Sequence, residues 1–391
     1  MAEKSQEAGQ REPGAQNQVI WFEGGAEHRA LWRSEGGAPP PKRVAIADDK
    51  LAADAAYKLA CEGTALLWRG DYQNARQLLQ ALARRIDKKN ERKPRKAVTP
   101  SEAFHAHRQA QVQRARILGM LLLPCDADYR IPLRRAPDVQ QACVAAWGPG
   151  GQHASLVALR ELLGLIGAHE WRKKGVDIPA LGARIHPHYG VFSPVRGEYL
   201  ELVAQAPLPA SARTRAFDIG AGTGVLAALL AKRGVEHVVA TELQPRALAC
   251  ARENIANLGL SGQVEVIEVD MFPPGRATLI VCNPPWVPAR ANSPLDHAVF
   301  DPDSRMLAGF LNGLAAHLEP DGEGWLILSD LAEHLGLRTR DELLARIETA
   351  GLKVLGKLDI KPQHPRSIDA ADPLHAARAA EVTSLWRLAL R

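Results

Sequence analysis

The spacing of apolar residues divides this chain into two halves of different character. In the first half, apolar residues recur every three or four positions, which places them on one face of a helix, as in Ala75, Leu78, Leu79, Leu82 and Ile86. Similar spacing predicts further helices near residues 51–59, 101–122, 138–147 and 154–171. No β alternation of any length is found before about residue 190. We therefore expect residues 43–185 to form a mostly helical domain.

In the second half, short runs rich in Val and Ile alternate with helical stretches. The predicted strands are residues 215–219, 236–241, 264–269, 277–282, 323–329, 352–359 and 383–390. The predicted helices are residues 223–233, 244–258, 303–318 and 331–349. This rhythm is typical of a doubly wound parallel sheet, so residues 186–391 are predicted to form a Rossmann-like α/β domain. About 20 residues without a strong helix pattern separate the last two strands, which are expected to close the sheet as an antiparallel hairpin.

Composition adds three expectations. Residues 1–42 are rich in Gly, Pro, Gln and charged residues, which is typical of a flexible arm. No apolar run reaches the roughly 20 residues of a membrane span, and the N-terminus lacks the apolar core of a signal peptide. The five cysteines are scattered, with no Cys-x-x-Cys pair, so we expect a cytoplasmic protein without structural zinc.

A glycine-rich turn follows the first predicted strand of the second half. Glycines at 220, 222 and 224 allow a tight turn and a close approach of the backbone to a ligand. Asp218 precedes them and can fix the turn or meet the amino group of a cationic amino acid. NAD-binding turns usually read G-x-G-x-x-G and hold a pyrophosphate, which a nearby carboxylate repels. The pattern therefore favours S-adenosylmethionine (SAM) over NAD, with a ligand-free tight turn as the third interpretation.

Acidic residues follow the next two predicted strands. Glu242 ends the second strand, where a carboxylate can accept hydrogen bonds from both ribose hydroxyls. Asp270 follows the third strand and can accept a hydrogen bond from an adenine amino group, while Met271 can pack on the ring. These positions complete a predicted cofactor site.

Asn283-Pro284-Pro285-Trp286 follows the fourth strand, at the sheet edge where open α/β sheets bind ligands. The Asn283 side-chain oxygen and the Pro284 carbonyl can hold both N–H bonds of a planar nitrogen whose lone pair attacks a methyl group. The two prolines stiffen the loop and preorganise these acceptors. Trp286 offers a flat face for stacking. The simpler interpretation is a stiff loop that only closes a strand.

With these motifs, residues 186–391 resemble class I SAM-dependent methyltransferases that carry an Asn-Pro-Pro-aromatic motif. That set includes adenine-N6 and guanine-N2 nucleic-acid methyltransferases and protein-glutamine methyltransferases. The resemblance implies a cofactor turn of Asp218, Gly220 and Gly222, a ribose acid, Glu242, an adenine-side acid, Asp270, and a target loop, Asn283 to Trp286. The resemblance covers about half of the chain.

Two details of the sequence resemble different substrate subclasses of this set. Residues 190–193 are similar to a segment of the small-domain ribosomal-RNA guanine-N2 group, whereas residues 194–196 are similar to the Pro-Arg of the glutamine group. Trp286 stands where both groups usually have Tyr or Phe. The resemblance therefore leaves both an RNA base and a protein glutamine open as substrates.

Residues 84–96 form a strongly basic stretch, RRIDKKNERKPRK, and further arginines follow at 108, 114, 116, 130, 134 and 135. With a net charge of +5 and an isoelectric point near 9.0, these residues indicate phosphate contacts or simply a solvated surface. His186 and His188 have no third ligand nearby, so no metal site is predicted. We therefore expect N-methylation of a macromolecule, with an RNA base amine ahead of a glutamine in a translation protein. A non-catalytic RNA-binding subunit is the alternative of another class.

Overall fold

The computed structural model of the chain describes residues 17–92, 99–194, 197–291, 294–362, 369 and 372–391. The chain divides into two compact units. The N-terminal unit contains residues 1–94 and 111–166, and the C-terminal unit contains residues 95–110 and 167–391. The predicted boundary at 185/186 therefore lies inside the C-terminal unit, which also includes the first half of a helix that the sequence assigned to the N-terminal domain.

The N-terminal unit is built on a six-stranded sheet with the strand order β1-β2-β6-β5-β4-β3. Its strands are β1 (Gln18–Glu23), β2 (Ala26–Arg33), β3 (Arg43–Ala47), β4 (Thr64–Trp68), β5 (Leu121–Cys125) and β6 (Ser155–Ala158). Its helices, of which the third and fifth run on into the residues of the other unit, are α1 (Ala53–Cys61), α2 (Tyr72–Arg92), α3 (Pro100–Leu118), α4 (Gln140–Trp147) and α5 (Leu159–Lys174). Strands β3, β4 and β5 run parallel to one another, whereas β6 is antiparallel to β5.

Helices outweigh strands over residues 43–185, as predicted, but the expectation that this half has no β structure is wrong. The prediction of a flexible arm over residues 1–42 is also wrong for the β1–β2 hairpin, and residues 1–16 of that arm lie outside the described residues. In β1 the buried Val19 and Trp21 alternate with exposed Ile20 and Phe22, a short period-2 signal inside a polar, glycine-rich segment. Strand β6 has only four residues, all buried, and too short a run to distinguish from a buried helical turn.

The C-terminal unit contains the doubly wound sheet that the sequence predicts. Its strand order is β11-β10-β9-β12-β13-β15-β14. The strands are β9 (Arg215–Ile219), β10 (His237–Glu242), β11 (Val264–Glu268), β12 (Ala277–Cys282), β13 (Leu318–Ser329), β14 (Leu352–Ile360) and β15 (Thr383–Leu390). The first five strands in this order run parallel, and β15 is antiparallel to both β13 and β14. The antiparallel hairpin at the sheet edge is therefore confirmed.

Helices and a small second sheet complete this unit. The helices are α6 (Glu198–Gln205), α7 (Val225–Lys232), α8 (Pro245–Asn257), α9 (Arg305–His317), α10 (Leu331–His334), α11 (Arg340–Thr349) and α12 (His375–Ala380). A two-stranded antiparallel sheet, β7 (Val176–Ile178) with β8 (Ala183–Ile185), precedes them. The predicted helix over 331–349 is two helices, because Gly336 adopts a left-handed φ of 67° and Thr339 starts α11 with a capping box.

Both faces of the seven-stranded sheet are covered. In β12, Leu279 and Val281 lie in a first apolar cluster with α6, α7 and α8. Ile280 and Cys282 lie in a second apolar cluster with α9 and α11 on the opposite face. A strand buried on both faces reads as a continuous apolar run, which explains why β12 was predicted with its observed bounds. No helix in the described part of the chain has the length and apolar character needed to cross a membrane.

Candidate active site

The glycine-rich turn lies where β9 ends. Gly220, Gly222 and Gly224 have φ angles of 75°, 56° and 78°, a region that side chains with a Cβ rarely adopt. The Thr241 carbonyl accepts hydrogen bonds from the N–H groups of Gly220 (3.0 Å) and Ala221 (2.9 Å), which ties the turn to β10. A Cβ on Gly222 would meet no atom within 4 Å. Two backbone hydrogen bonds therefore fix the turn to β10, and the space beside Gly222 is unfilled.

Asp218 lies under this turn and is fully buried. One of its carboxylate oxygens accepts a hydrogen bond from the Ala227 N–H of α7 at 2.9 Å. The other, Oδ1, is buried without a hydrogen-bond partner among the described residues. Burial, with a smaller contribution from the negative charge of Glu242, raises the pKa of Asp218 to about 7. The carboxylate thus fixes the turn, and its second oxygen has lone pairs that no described residue uses.

Glu242 is held at the end of β10 by backbone N–H groups. Its Oε2 accepts from Gly222 at 3.0 Å, and its Oε1 accepts from Leu243 and Gln244, both at 2.9 Å. A carboxylate has about four lone-pair sites, so three of them are already used. A ribose that donates two hydrogen bonds to Glu242 must therefore displace one of these backbone donors.

Asp270 and Met271 lie beyond β11, on the adenine side of the predicted cofactor site. Asp270 forms an ion pair with Arg305 at 2.9 Å, and both side chains are more than half exposed. Met271 adopts a φ of 67°, and its carbonyl accepts a hydrogen bond from the Thr241 hydroxyl at 2.6 Å. The Met271 side chain packs into the second apolar cluster. Their predicted contacts with adenine stay predictions.

The Asn-Pro-Pro-Trp loop leaves the sheet beside the glycine turn. Strand β12 pairs with β9 so that Cys282 lies opposite Ile219, and Asn283 and Gly220 therefore follow side by side. The Asn283 side-chain oxygen accepts a hydrogen bond from the Trp286 indole N–H at 2.9 Å. The Trp286 ring is partly buried and packs against the first and second apolar clusters. Part of the surface that was predicted for stacking is thus used for packing inside the protein.

The segment before α9 contributes an aspartate that caps this helix. Asp301 is 5% exposed, and its carboxylate accepts hydrogen bonds from Met306 N (3.1 and 3.0 Å) and Leu307 N (3.2 Å). Asp303 has a left-handed φ of 58°, and Ser304 follows with 54°. Non-glycine residues in this region are strained, and Asp301, upstream of both, supplies the side-chain acceptor for the start of α9.

The start of α9 also borders the cofactor turn. The Met306 methyl group lies against the position that a Cβ on Gly220 would occupy. This methyl is the end of a flexible side chain, so the positive φ is the stronger reason for a glycine there. On the other side of the turn, Asn254 donates to the Thr223 carbonyl at 3.0 Å and accepts from His186 N at 2.7 Å. No local motif marks Asn254, because its partners are distant in sequence.

His186 and His188 are engaged by neighbouring side chains and backbone. His186 Nδ1 lies 2.7 Å from the Arg172 carbonyl oxygen, and His188 Nε2 lies 2.8 Å from a Glu253 oxygen. Burial lowers the pKa of His188 despite this acidic neighbour. Residues 190–194, used above to compare substrate subclasses, continue from this segment, whereas residues 195 and 196 lie outside the described residues.

Many arginines of the predicted basic surface form ion pairs or hydrogen bonds with other groups of this chain. Arg85 pairs with Asp54 at 2.6 Å, and Arg114 pairs with Asp87 at 3.0 Å. The other engaged arginines are Arg108 on the Arg290 carbonyl and the Phe300 ring, Arg116 on the Cys61 carbonyl, and Arg134 and Arg135 on Asp71. Lys88 and Lys89 are exposed, and the side chains of residues 90–98 lie outside the description. The phosphate-contact hypothesis therefore stays a prediction.

Comparison with known proteins places the cofactor motifs inside a family. The methyltransferase small domain family matches residues 182–343. Release factor glutamine methyltransferase from Deinococcus radiodurans is 32% identical over 219 residues, which cover 53% of this chain and 72% of that protein. The enzyme of the same name from Cereibacter sphaeroides is 33% identical over 175 residues, 41% of this chain and 58% of that protein.

A nucleic-acid methyltransferase is also similar. The tRNA1(Val) (adenine(37)-N6)-methyltransferase from Pedobacter heparinus is 33% identical over 135 residues, which cover 31% of this chain and 57% of that protein. The chain thus spans less than two thirds of the Cereibacter and Pedobacter relatives. Among solved structures, a methyltransferase from Pyrococcus furiosus has a TM-score of 0.40 and 17% identity, covering 57% of this chain and 96% of that chain.

Proposed function

Because this chain belongs to the class I SAM-dependent methyltransferases with an Asn-Pro-Pro-aromatic loop, we propose that it transfers a methyl group from SAM to a planar nitrogen of a macromolecule. The observation that carries the proposal is the pairing of β9 with β12. This pairing brings the glycine turn and the Asn283 oxygen to the same edge of the sheet. A cofactor and an acceptor nitrogen bound there would meet.

The residues around the turn fit SAM. The buried Asp218 Oδ1 has no hydrogen-bond partner among the described residues and would accept from the cationic amino acid. Glu242 would hold the ribose, and Asp270 with Met271 the adenine. SAM, when bound, supplies an electrophilic methyl group on a sulfonium.

The chain's own contribution to the reaction is to hold the acceptor nitrogen. The lone pair of a base amine or a carboxamide is delocalised, so the nitrogen is a weak nucleophile. As the C–N bond forms, its N–H bonds become more acidic and donate more strongly. The Asn283 oxygen and the Pro284 carbonyl, fixed by the proline-stiffened loop, would accept both N–H bonds and stabilise this developing charge. No strong base is needed beside the nitrogen.

Two substrate classes carry such a nitrogen, and we favour the side chain of a protein glutamine. The glutamine methyltransferase from Deinococcus radiodurans matches 53% of this chain, against 31% for the tRNA adenine methyltransferase. In addition, many of the arginines that suggested RNA are bound to acidic or carbonyl groups of this chain. An RNA base amine is the second candidate, because Lys88 and Lys89 stand exposed on α2.

Asn283→Ala tests the proposal. The substitution removes one preorganised acceptor and should lower turnover about 100-fold or more. SAM affinity, measured by calorimetry, should stay near that of wild type. Tritium transfer from labelled SAM into total protein and total RNA of a strain that lacks the gene measures turnover and identifies the substrate class. Asn257→Ala, an exposed asparagine at the end of α8, is the matched control. Near-normal turnover in Asn283→Ala, or binding of NAD in place of SAM, would contradict the proposal.

A further inference from the structure

The indole of Trp286 makes a contact that neither Tyr nor Phe can make in the same place. Its N–H donates to the Asn283 side-chain oxygen at 2.9 Å. An indole N–H is a donor only, whereas an asparagine amide presents an acceptor oxygen and a donor nitrogen of nearly the same shape. The hydrogen bond therefore selects which end of the Asn283 amide faces Trp286.

The position of the indole is itself fixed by packing. The ring touches three apolar clusters of the C-terminal unit, which are the first and second clusters on the two faces of the sheet and a third around Phe104, Val287 and Leu335. The backbone after the ring is also paired, since Val287 bridges to Phe300. A rotation of the indole would expose this buried surface, and exposure of apolar area costs free energy in proportion to that area.

We propose that Trp286 is a positioning residue whose indole N–H locks the Asn283 amide in the orientation that methyl transfer needs. The inference rests on the proposed function. A carbonyl oxygen has two lone pairs, so one accepts the indole N–H and the other stays available for the acceptor nitrogen. Without the indole N–H, the amide is able to turn over and present its own N–H groups to the N–H groups of the substrate.

This role differs from stacking and from simple packing, and exchange of a single ring atom distinguishes the three. Replacement of Trp286 by β-(3-benzothienyl)alanine keeps the bicyclic ring, its face and its size, but substitutes sulfur for the N–H. We expect kcat to fall about three- to tenfold, the effect of one neutral hydrogen bond, with KM for the acceptor and Kd for SAM within about twofold of wild type. Trp286→Phe, which also removes packing surface, should lower kcat further and raise KM.

The same replacement at Trp325 is the matched control. Trp325 is buried and also donates its indole N–H to a side-chain oxygen, Glu323 Oε2 at 2.9 Å, but it lies within β13. Its benzothienyl variant should keep the kcat of wild type even if its melting temperature falls. Equal losses of kcat at both positions would show a general effect of the substitution and overturn the proposal.

The bond also has a readout that does not depend on turnover. In protein labelled with 15N at the indole nitrogen, the Trp286 resonance, assigned by its loss in Trp286→Phe, should shift in Asn283→Ala and exchange faster with solvent. An indole resonance whose chemical shift and solvent exchange are unchanged in Asn283→Ala would overturn the positioning role. So would an unchanged kcat in the benzothienyl variant at position 286. Absence of methyl transfer by the wild-type protein would instead refute the proposed function, and the indole resonance would still report on the bond.

Discussion

Asp218→Asn should remove a pH-dependent loss of stability and weaken the cofactor site. The carboxylate is fully buried, and burial is the main reason that its pKa is raised from 3.8 to about 7. Asparagine keeps the shape and the acceptor for the Ala227 N–H but carries no charge. The variant therefore removes the cost of a buried, half-satisfied carboxylate at the position where a cationic ligand is expected.

The size and sign of the effect follow from the pKa. Between pH 3.8 and about 7 the folded protein keeps a proton on Asp218 that the unfolded chain has lost. The contribution of Asp218 to the free energy of unfolding is therefore fully present below pH 3.8, and it is lost as the pH rises from 3.8 through 7. The free energy of unfolding falls by about 1.4 kcal/mol per pH unit in this window, or about 4 kcal/mol in all. Relative to wild type, the stability of Asp218→Asn should increase by about 2 kcal/mol as the pH rises from 5 to 7.

The difference in the free energy of unfolding between variant and wild type is measured by urea unfolding. Hydrogen exchange in peptides from β9 and β12 monitors it, because these strands report on the C-terminal unit. Other groups that titrate in the same window are common to both proteins and cancel. Asp270→Asn, an exposed carboxylate at the same sheet edge, is the control for loss of a carboxylate. Parallel stability curves for Asp218→Asn and wild type, or a carboxyl 13C titration of Asp218 near pH 4, would refute the reasoning.

The same charge links pH to cofactor binding. The proton must leave Asp218 before the carboxylate can accept from a cationic amine. The SAM affinity of wild type should therefore rise about fivefold from pH 6 to pH 7, reach about tenfold by pH 8 and level off above that. Calorimetry at several pH values, repeated with Asp218→Asn, checks this. The variant should bind SAM more weakly than wild type and show little of the pH dependence.

Two further predictions concern the ribose acid and the basic stretch. Glu242→Gln should keep its shape but lose the charge that holds the ribose and the turn, and so weaken SAM binding by roughly 1.5–3 kcal/mol in calorimetry; unchanged affinity would mean that Glu242 is not the ribose acid. Reversal of Lys88, Lys89, Lys93 and Lys96 to Glu should weaken RNA binding and lower its log–log salt slope by about 0.7 to 0.9 per lost phosphate contact, without a change in SAM affinity. If wild-type RNA affinity is already weak and insensitive to salt, the RNA candidate is excluded and the glutamine candidate gains.

The sequence determined the C-terminal unit well because each signal there is local. Strands β9 and β12 are buried on both faces and appear as short apolar runs, and the glycines at 220, 222 and 224 and the prolines at 284 and 285 mark their ends. Parallel strands end at one edge, so the residues that follow β9, β10, β11 and β12 were expected to meet there. The strands and their connections are confirmed by the observed order of the sheet.

The N-terminal unit was predicted poorly because its sheet depends on pairings between distant segments. Strand β2 pairs with β6 more than 120 residues away, through Leu31 with Ser155, and β6 is four residues long. Such short strands gain their stability from neighbours in the sheet and leave little periodicity of their own. Helical stretches beside them, such as α2, have a strong 3.6-residue pattern and dominated the interpretation.

Within the candidate site, the sequence by itself determined which residues reach the sheet edge, and only the tertiary structure decided how they interact. Burial raises the pKa of Asp218 and leaves one of its oxygens without a hydrogen-bond partner among the described residues. Packing of the Trp286 ring against three apolar clusters turns its N–H toward Asn283. Asp303 and Ser304 adopt left-handed φ angles, and Asp301 accepts the hydrogen bond from the first turn of α9. Burial, ring orientation and strain each depend on atoms from several distant segments at once, so no local pattern in the chain encodes them.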